Sequence, residues 1–288
     1  MTLPLQPDQR QQLATLLTYC REMGGVEFYR GADDILPAAI AAEAALSAVA
    51  NNSANDSSSR TPTPTASSDS IPTMPRNANV LTPPPTIDFS APAIAPENRP
   101  AALQAIRDEI GDCTRCPLAF EGRNQIVFGN GDPNAELLFV GEGPGADEDI
   151  QGFPFVGRGG QLLNNMIAAM GLKREQAYVA NIVKCRPPKN RVPEPIEATT
   201  CTPFLFEQIG VVRPKLIVAL GATAATYMLG TKAALSVLRG KMHECMGTKL
   251  IVTYHPAYLL RDPRQKAEAW KDLQLAMKFL HLVPPAKG

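Results

Sequence analysis

The sequence predicts an α/β fold: a short parallel sheet covered on both faces by helices, preceded by a largely disordered N-terminal extension. Three observations predict it. From about residue 101, apolar runs of strand length alternate with helical patterns, the order that builds a parallel sheet through helical crossovers. Hydrophobic residues make up 44% of the 288-residue chain, enough for a sizeable core. Residues 51–100 instead hold 10 prolines and 8 serines, with runs such as SSSRTPTPTASSDS. Such a segment cannot bury enough apolar surface to offset its chain entropy and reads as a disordered linker.

Taken in order, residues 1–50 form an extension with short helical segments. Gln6–Met23 carries Leu13, Leu16, Leu17 and Tyr19 at helical spacing, and Ala38–Ala50 is alanine-rich. These pieces are too short for a stable domain, and read as a dispensable tail or a docking peptide for a protein partner. Residues 51–100 are the linker, and 101–288 the domain. Its strand candidates are Leu137–Gly141, Tyr178–Val183, Lys215–Leu220 and Lys249–Tyr254. Its helix candidates are Ala102–Ile110, Gly160–Met170, Glu194–Ile209, Ala222–Leu229 and Arg264–Leu280. Ligands of such sheets sit beyond the carboxyl ends of the strands. Gly141–Gly145, Asn181–Cys185 and His255-Pro256 all fall there, so the chain converges on one cleft.

Net charge is zero, but residues 1–100 carry −4 and residues 101–288 carry +4. A mildly basic second part is compatible with a polyanion partner; ordinary surface charge explains it equally. The apolar runs fall well short of the ~18 residues of a membrane span, and with no basic stretch followed by an apolar run at the start, no secretory signal is expected. A soluble, cytoplasmic, monomeric protein is expected.

Six cysteines occur. In a cytosolic chain, metal binding is a better first reading than disulfides. Cys113 and Cys116 form a C-x2-C bite; Cys185 lies in the proline-stiffened KCRPPKNRVPEP, and Cys201 lies in the following helix. One knuckle followed by a long gap leaves zinc and a four-cysteine iron–sulfur cluster both open. Cys20 and Cys245 fall outside the pattern and read as ordinary thiols.

The stretch GEGPGADED, Gly141 to Asp149, looks like a phosphate cradle and argues against being one. Its glycine spacing is not that of a dinucleotide fold. Pro144 lacks the N–H a cradle would use, and Asp147, Glu148 and Asp149 repel phosphate. No Gly-Lys-Ser/Thr follows.

Four motifs in order, GEGPGADED, GFPFVGRGGQLL, NIVKCRPPKNRVPEP and VTYHPAYLLRDP, resemble the family-4 uracil-DNA glycosylases, the iron–sulfur branch of the uracil glycosylase superfamily. The resemblance covers roughly residues 102–282 and includes the four cysteines at the family's spacing. It implies a three-layer α/β/α sandwich, and a 4Fe–4S cluster on Cys113, Cys116, Cys185 and Cys201. It also implies action on uracil-containing DNA, where the base is flipped out and its N-glycosidic bond hydrolysed to an abasic site.

By that resemblance Phe155 is the stacking plate for the base, with Phe153 the alternative. Asn181 reads the uracil edge, accepting from N3–H and donating to O4; a strand-end turn residue is its bland alternative. His255 hydrogen-bonds O2 as negative charge develops on the departing base. Glu142 is the carboxylate best placed to orient water, although an aspartate at the next position, expected of better-known relatives, is Gly143 here. Backbone N–H groups of Gly141 to Gly145 line the pocket, and Glu148 or Asp149 crowds C5 to exclude thymine. Leu259 takes the place of the superfamily's apolar wedge, and Arg261 meets a phosphate, as does the helix start at Arg158. The cluster would staple a DNA-facing loop presenting Lys184, Arg186, Lys189 and Arg191 to the backbone. A non-catalytic iron–sulfur or zinc DNA-binding module of the same fold is the rival; it predicts loss of Asn181, His255 or Phe155, and all three are present.

Overall fold

The computed structural model describes residues 81, 83–89 and 92–284. The readings of residues 1–50, of most of the linker and of Cys20 lie outside the described residues. Six strands form one sheet: β1 (Asn130–Gly131), β2 (Leu137–Gly141), β3 (Tyr178–Asn181), β4 (Leu216–Leu220), β5 (Met242–Cys245) and β6 (Thr248–Thr253). Their order is β1-β3-β2-β4-β6-β5. The four central strands pair in parallel, while β1 and β5 add antiparallel edges. The central four are the four expected. The edges went unforeseen because β1 is two residues long and β5 reads MHEC, with Met242 and Glu244 exposed.

Helices α1 (Arg99–Ile110), α2 (Ala146–Gln151), α3 (Arg158–Ala169), α4 (Pro195–Val212), α5 (Ala222–Leu229), α6 (Leu235–Leu238), α7 (Pro256–Arg261) and α8 (Lys266–Leu280) complete the described fold. Side chains alternate across each strand, and here both faces are covered. Leu138, Val140, Ile217, Ala219, Leu250 and Val252 pack in one core with Leu103 and Ile106 of α1, Leu205 and Ile209 of α4, and Met228 of α5. Leu137, Phe139, Leu216, Val218 and Ile251 pack in the other with Leu163 and Ile167 of α3 and Leu273 and Ala276 of α8. The result is the three-layer α/β/α sandwich.

The linker ends earlier than its composition suggests. The Ile87 N–H donates to the Met246 carbonyl at 3.2 Å, and the Arg213 guanidinium lies 5.6 Å over the Phe89 ring. Helix α1 begins at Arg99, whose guanidinium bonds the carbonyl of Val212 at the end of α4. The few apolar residues in this proline-rich stretch are what dock it. Among the described residues no helix is long and apolar enough to cross a membrane.

Candidate active site and four-cysteine site

All four central strands deliver residues at their carboxyl ends, as a parallel sheet requires. Gly141 ends β2 and is the register partner of Asn181, which ends β3. A side chain at Gly141 would overlap both the Asn181 Oδ1 and the Phe155 ring, so glycine there lets those two groups converge. Asn181 is 1% exposed, and its Oδ1 has no hydrogen-bond partner among the described residues. Burying an acceptor without a partner costs about 1–3 kcal/mol, so this oxygen is open to a donor.

Phe155 is buried in left-handed backbone, φ 57°. The tight turn needs glycine in the first turn of α3: a side chain at Gly160 would collide with the Phe155 carbonyl. Phe153 is 52% exposed, so it is Phe155 that faces the site. The Phe155 and His255 rings lie 5.6 Å apart between centroids.

His255 follows β6 and caps α7, its Nδ1 accepting from the Ala257 N–H at 3.2 Å. Burial, aided by the nearby Arg261 guanidinium, pushes its pKa down to about 4. The imidazole is therefore neutral at ordinary pH. With Nδ1 used as acceptor, its proton sits on Nε2.

Glu142 is half-buried, and one of its carboxylate oxygens accepts from the Thr223 hydroxyl in the first turn of α5. Gly143 packs against Val183. Arg158 is exposed at the start of α3. Arg261 is exposed at the end of α7, with no ion pair among the described residues.

Several sequence expectations change. The Glu148 carboxylate is taken up by three backbone N–H groups, Gly145 at 3.1 Å and Val156 and Gly157 at 2.9 Å each; it ties the glycine loop to the Phe155 turn. Asp149 is fully buried and accepts from the Asn124 backbone and side chain, so it does not crowd a ligand. Leu259 is 1% exposed on the inner side of α7 and is not free to wedge into a stack; Tyr258 and Leu260 beside it are half-buried. Lys184 is also buried and faces no phosphate. Arg191 is clamped to Glu197 by two bonds of 2.7 and 2.8 Å and to Glu121 at 2.9 Å. Arg186 bonds Asn190, and Lys189 stays exposed.

Cys113, Cys116, Cys185 and Cys201 line one cavity between α1, the loop after β3 and α4. Three donors reach their sulfurs, each at 3.3 Å: Arg115 to Cys113, Arg123 to Cys185, and the Lys184 N–H to Cys201. Burial raises the Cys116 thiol to about 11 and Cys201 to about 12; such thiols ionise only against strong positive charge, which a bound metal centre supplies. Among the described residues, no three His, Cys, Asp or Glu side chains stand close enough to share one metal ion. Four soft thiol donors lining one cavity fit either a zinc ion or a four-cysteine iron–sulfur cluster. Cys245 lies outside this group, its thiol bonded to the Met228 carbonyl.

Thr223, Gln208, Arg115 and Arg123 were missed in the sequence. Thr223 had a signal, since it falls just past a strand's carboxyl end. Gln208 did too, lying on the Cys201 face of α4 by its 3.6-residue period.

Comparison with known proteins identifies the family. The family model of the Uracil DNA glycosylase superfamily matches residues 128–274. The chain belongs to that superfamily. Within the superfamily, it is 40% identical over 186 residues to a Type-4 uracil-DNA glycosylase of Thermotoga maritima, covering 63% of this chain and 96% of the relative. A Type-4 enzyme of Pyrobaculum aerophilum is 40% identical over 181 residues, 60% of this chain and 92% of the relative. The Type-5 uracil-DNA glycosylase of that same organism is 28% identical over 180 residues, 51% and 79%. Within the superfamily the chain thus sides with the Type-4 branch.

Proposed function

We propose that this chain is a uracil-DNA glycosylase of the Type-4 kind, acting in repair by extruding uracil from DNA and hydrolysing its N-glycosidic bond to leave an abasic site. The observation that carries the reading is the buried, unpartnered Asn181 Oδ1, set between the Phe155 ring and the end of β2.

A base in a duplex is out of reach and must leave the stack. The extruded uracil lies flat on Phe155. Asn181 Oδ1 accepts from uracil N3–H, and its amide donates to O4. Cytosine has no proton on N3 and an amino group in place of O4, so the same amide repels it.

As the bond between the sugar C1′ and uracil N1 breaks, its electron pair goes to the base and charge gathers on O2. The neutral His255 donates its Nε2–H there. A pre-aimed donor at developing charge is worth about 3–4 kcal/mol. The sugar becomes cation-like and a water attacks it, held by the Glu142 oxygen that Thr223 does not use. With glycine at position 143, leaving-group stabilisation carries most of the rate.

Cys113, Cys116, Cys185 and Cys201 would hold the 4Fe–4S cluster. When bound, it supplies a rigid, charge-compensated cross-link between the loop after β3, α4 and the segment following α1. None of the steps above calls for redox chemistry.

The test is incubation with oligonucleotides bearing one uracil, cytosine or thymine, followed by alkali. Cleavage at uracil alone supports the reading; an intact uracil strand overturns it.

A further inference from the structure

Lysine is almost never fully buried without a partner. Lys184 is 1% exposed, and no carboxylate pairs with it among the described residues. Its Nζ donates to the Asn181 backbone carbonyl at 3.1 Å and to Gln208 Oε1. Its backbone N–H donates to Cys201 Sγ at 3.3 Å. Gln208, itself fully buried, is fixed from its other end, where Nε2 donates to the Phe128 carbonyl at 3.0 Å and the Tyr178 hydroxyl at 3.2 Å.

The Asn181 carbonyl needs such a donor. Beyond Asn181 the chain leaves the sheet, its next two N–H groups bonding Gly141 and Glu142 in the loop after β2. On the other side, β1 reaches only Tyr178 and Val179, so no edge strand meets Asn181. A buried carbonyl must still be satisfied, and Lys184 does it with a charged group, the stronger kind of donor. The backbone N–H of the same residue also reaches Cys201 of the four-thiol site.

We infer that Lys184 is a positioning residue: it fixes the backbone of Asn181, and so the aim of the amide that reads the base, while bracing that backbone against the four-cysteine site. The inference rests on the reading of Asn181 given above. It turns a lysine that sequence alone would send to the DNA phosphates into an internal strut.

A double-mutant cycle tests it. Lys184→Met keeps the length of the side chain and removes the charge and the donor. It is compared with Asn181→Ala and with the pair, in single-turnover excision of uracil and in binding an oligonucleotide whose uracil sits on an uncleavable 2′-fluorinated sugar. Lys184→Met is expected to slow excision about tenfold, the size of one lost hydrogen bond. It should narrow the preference for uracil over cytosine and keep the visible absorbance of the bound cluster. The pair should be no worse than Asn181→Ala alone. If Lys184→Met instead weakens the Asn181→Ala protein by the full factor, or matches wild type, the inference is wrong. Should Lys184→Met not fold, Gln208→Leu enters the same cycle with the same two outcomes. If wild type leaves uracil in place, the glycosylase reading falls, and the binding cycle still decides the role of Lys184.

Discussion

The imidazole of His255 faces the ring of Phe155, with centroids 5.6 Å apart and planes tilted by 31°. One ring follows β6 and the other lies in the turn before α3, so the tertiary fold alone brings them together. On the proposed reading, the flat ring stacks the base while the neutral donor meets its edge. Stacking of a base on an aromatic ring is worth about 1–3 kcal/mol. Phe155→Ala is therefore expected to lower kcat/KM for uracil excision by about 10- to 100-fold. Phe153→Ala, altering an exposed ring, should stay near wild type in the same assay.

On the proposed reading, Asn181→Ala removes the acceptor that uracil N3–H meets. Losing one partner of a buried hydrogen bond costs about 1–3 kcal/mol. Uracil excision should fall by about 10- to 100-fold. Because the same amide rejects cytosine, the ratio of uracil to cytosine excision should narrow, as paired kinetics on the two substrates would read.

Thr223→Val leaves the shape of the α5 start and removes the hydroxyl that holds Glu142. The carboxylate then loses its fixed direction. A fall of about tenfold in kcat, with KM little changed, is expected from one such hydrogen bond. Thr223→Ser, which restores the hydroxyl, should recover most of it.

His255 sets a pH prediction. An ordinary histidine titrates near 6.5; burial first, and Arg261 second, bring this one to about 4. Excision should show no acid limb near pH 6.5 from this residue. Stability has the matching sign. The unfolded chain takes up a proton near pH 6.5 and the folded chain only near 4, so stability present above 6.5 is lost as pH falls through that window. Arg261→Ala should raise the His255 pKa part of the way, since burial remains. NMR titration of the ring reads both.

Cys201→Ser should lose iron, visible colour and thermal stability together, because Cys201 joins α4 to the loop after β3. Cys245→Ser, outside the four-thiol cavity, should keep its iron. Metal analysis and thermal unfolding separate the two.

The central sheet was legible because strands such as LLFVG and LIVAL are continuous apolar runs between helical patterns. The edges β1 and β5 were not, being short and partly polar. In the candidate site, Asn181 and His255 were visible because each ends or follows a strand inside a distinctive motif, and Phe155 through its motif alone. What sequence missed was direction. Lys184 and Arg191 look alike in KCRPPKNR, yet one points into the core and the other is clamped to Glu197 and Glu121. Leu259 and Leu260 are neighbours, and only the helical phase of α7 decides which is buried. The acids after Gly145 read as one charged patch, whereas tertiary contacts turn Glu148 and Asp149 into ties to different segments. Side-chain direction in loops depends on partners distant in sequence, which local pattern does not encode.

The most direct measurement is free uracil released from a uracil-containing oligonucleotide by the holoprotein, set beside the His255→Ala, Asn181→Ala double variant with equal cluster content. The account predicts stoichiometric release by wild type and a loss of at least about a hundredfold in the variant, the size of one missing charge-stabilising donor. Equal release by the two proteins, or none by wild type, would contradict it.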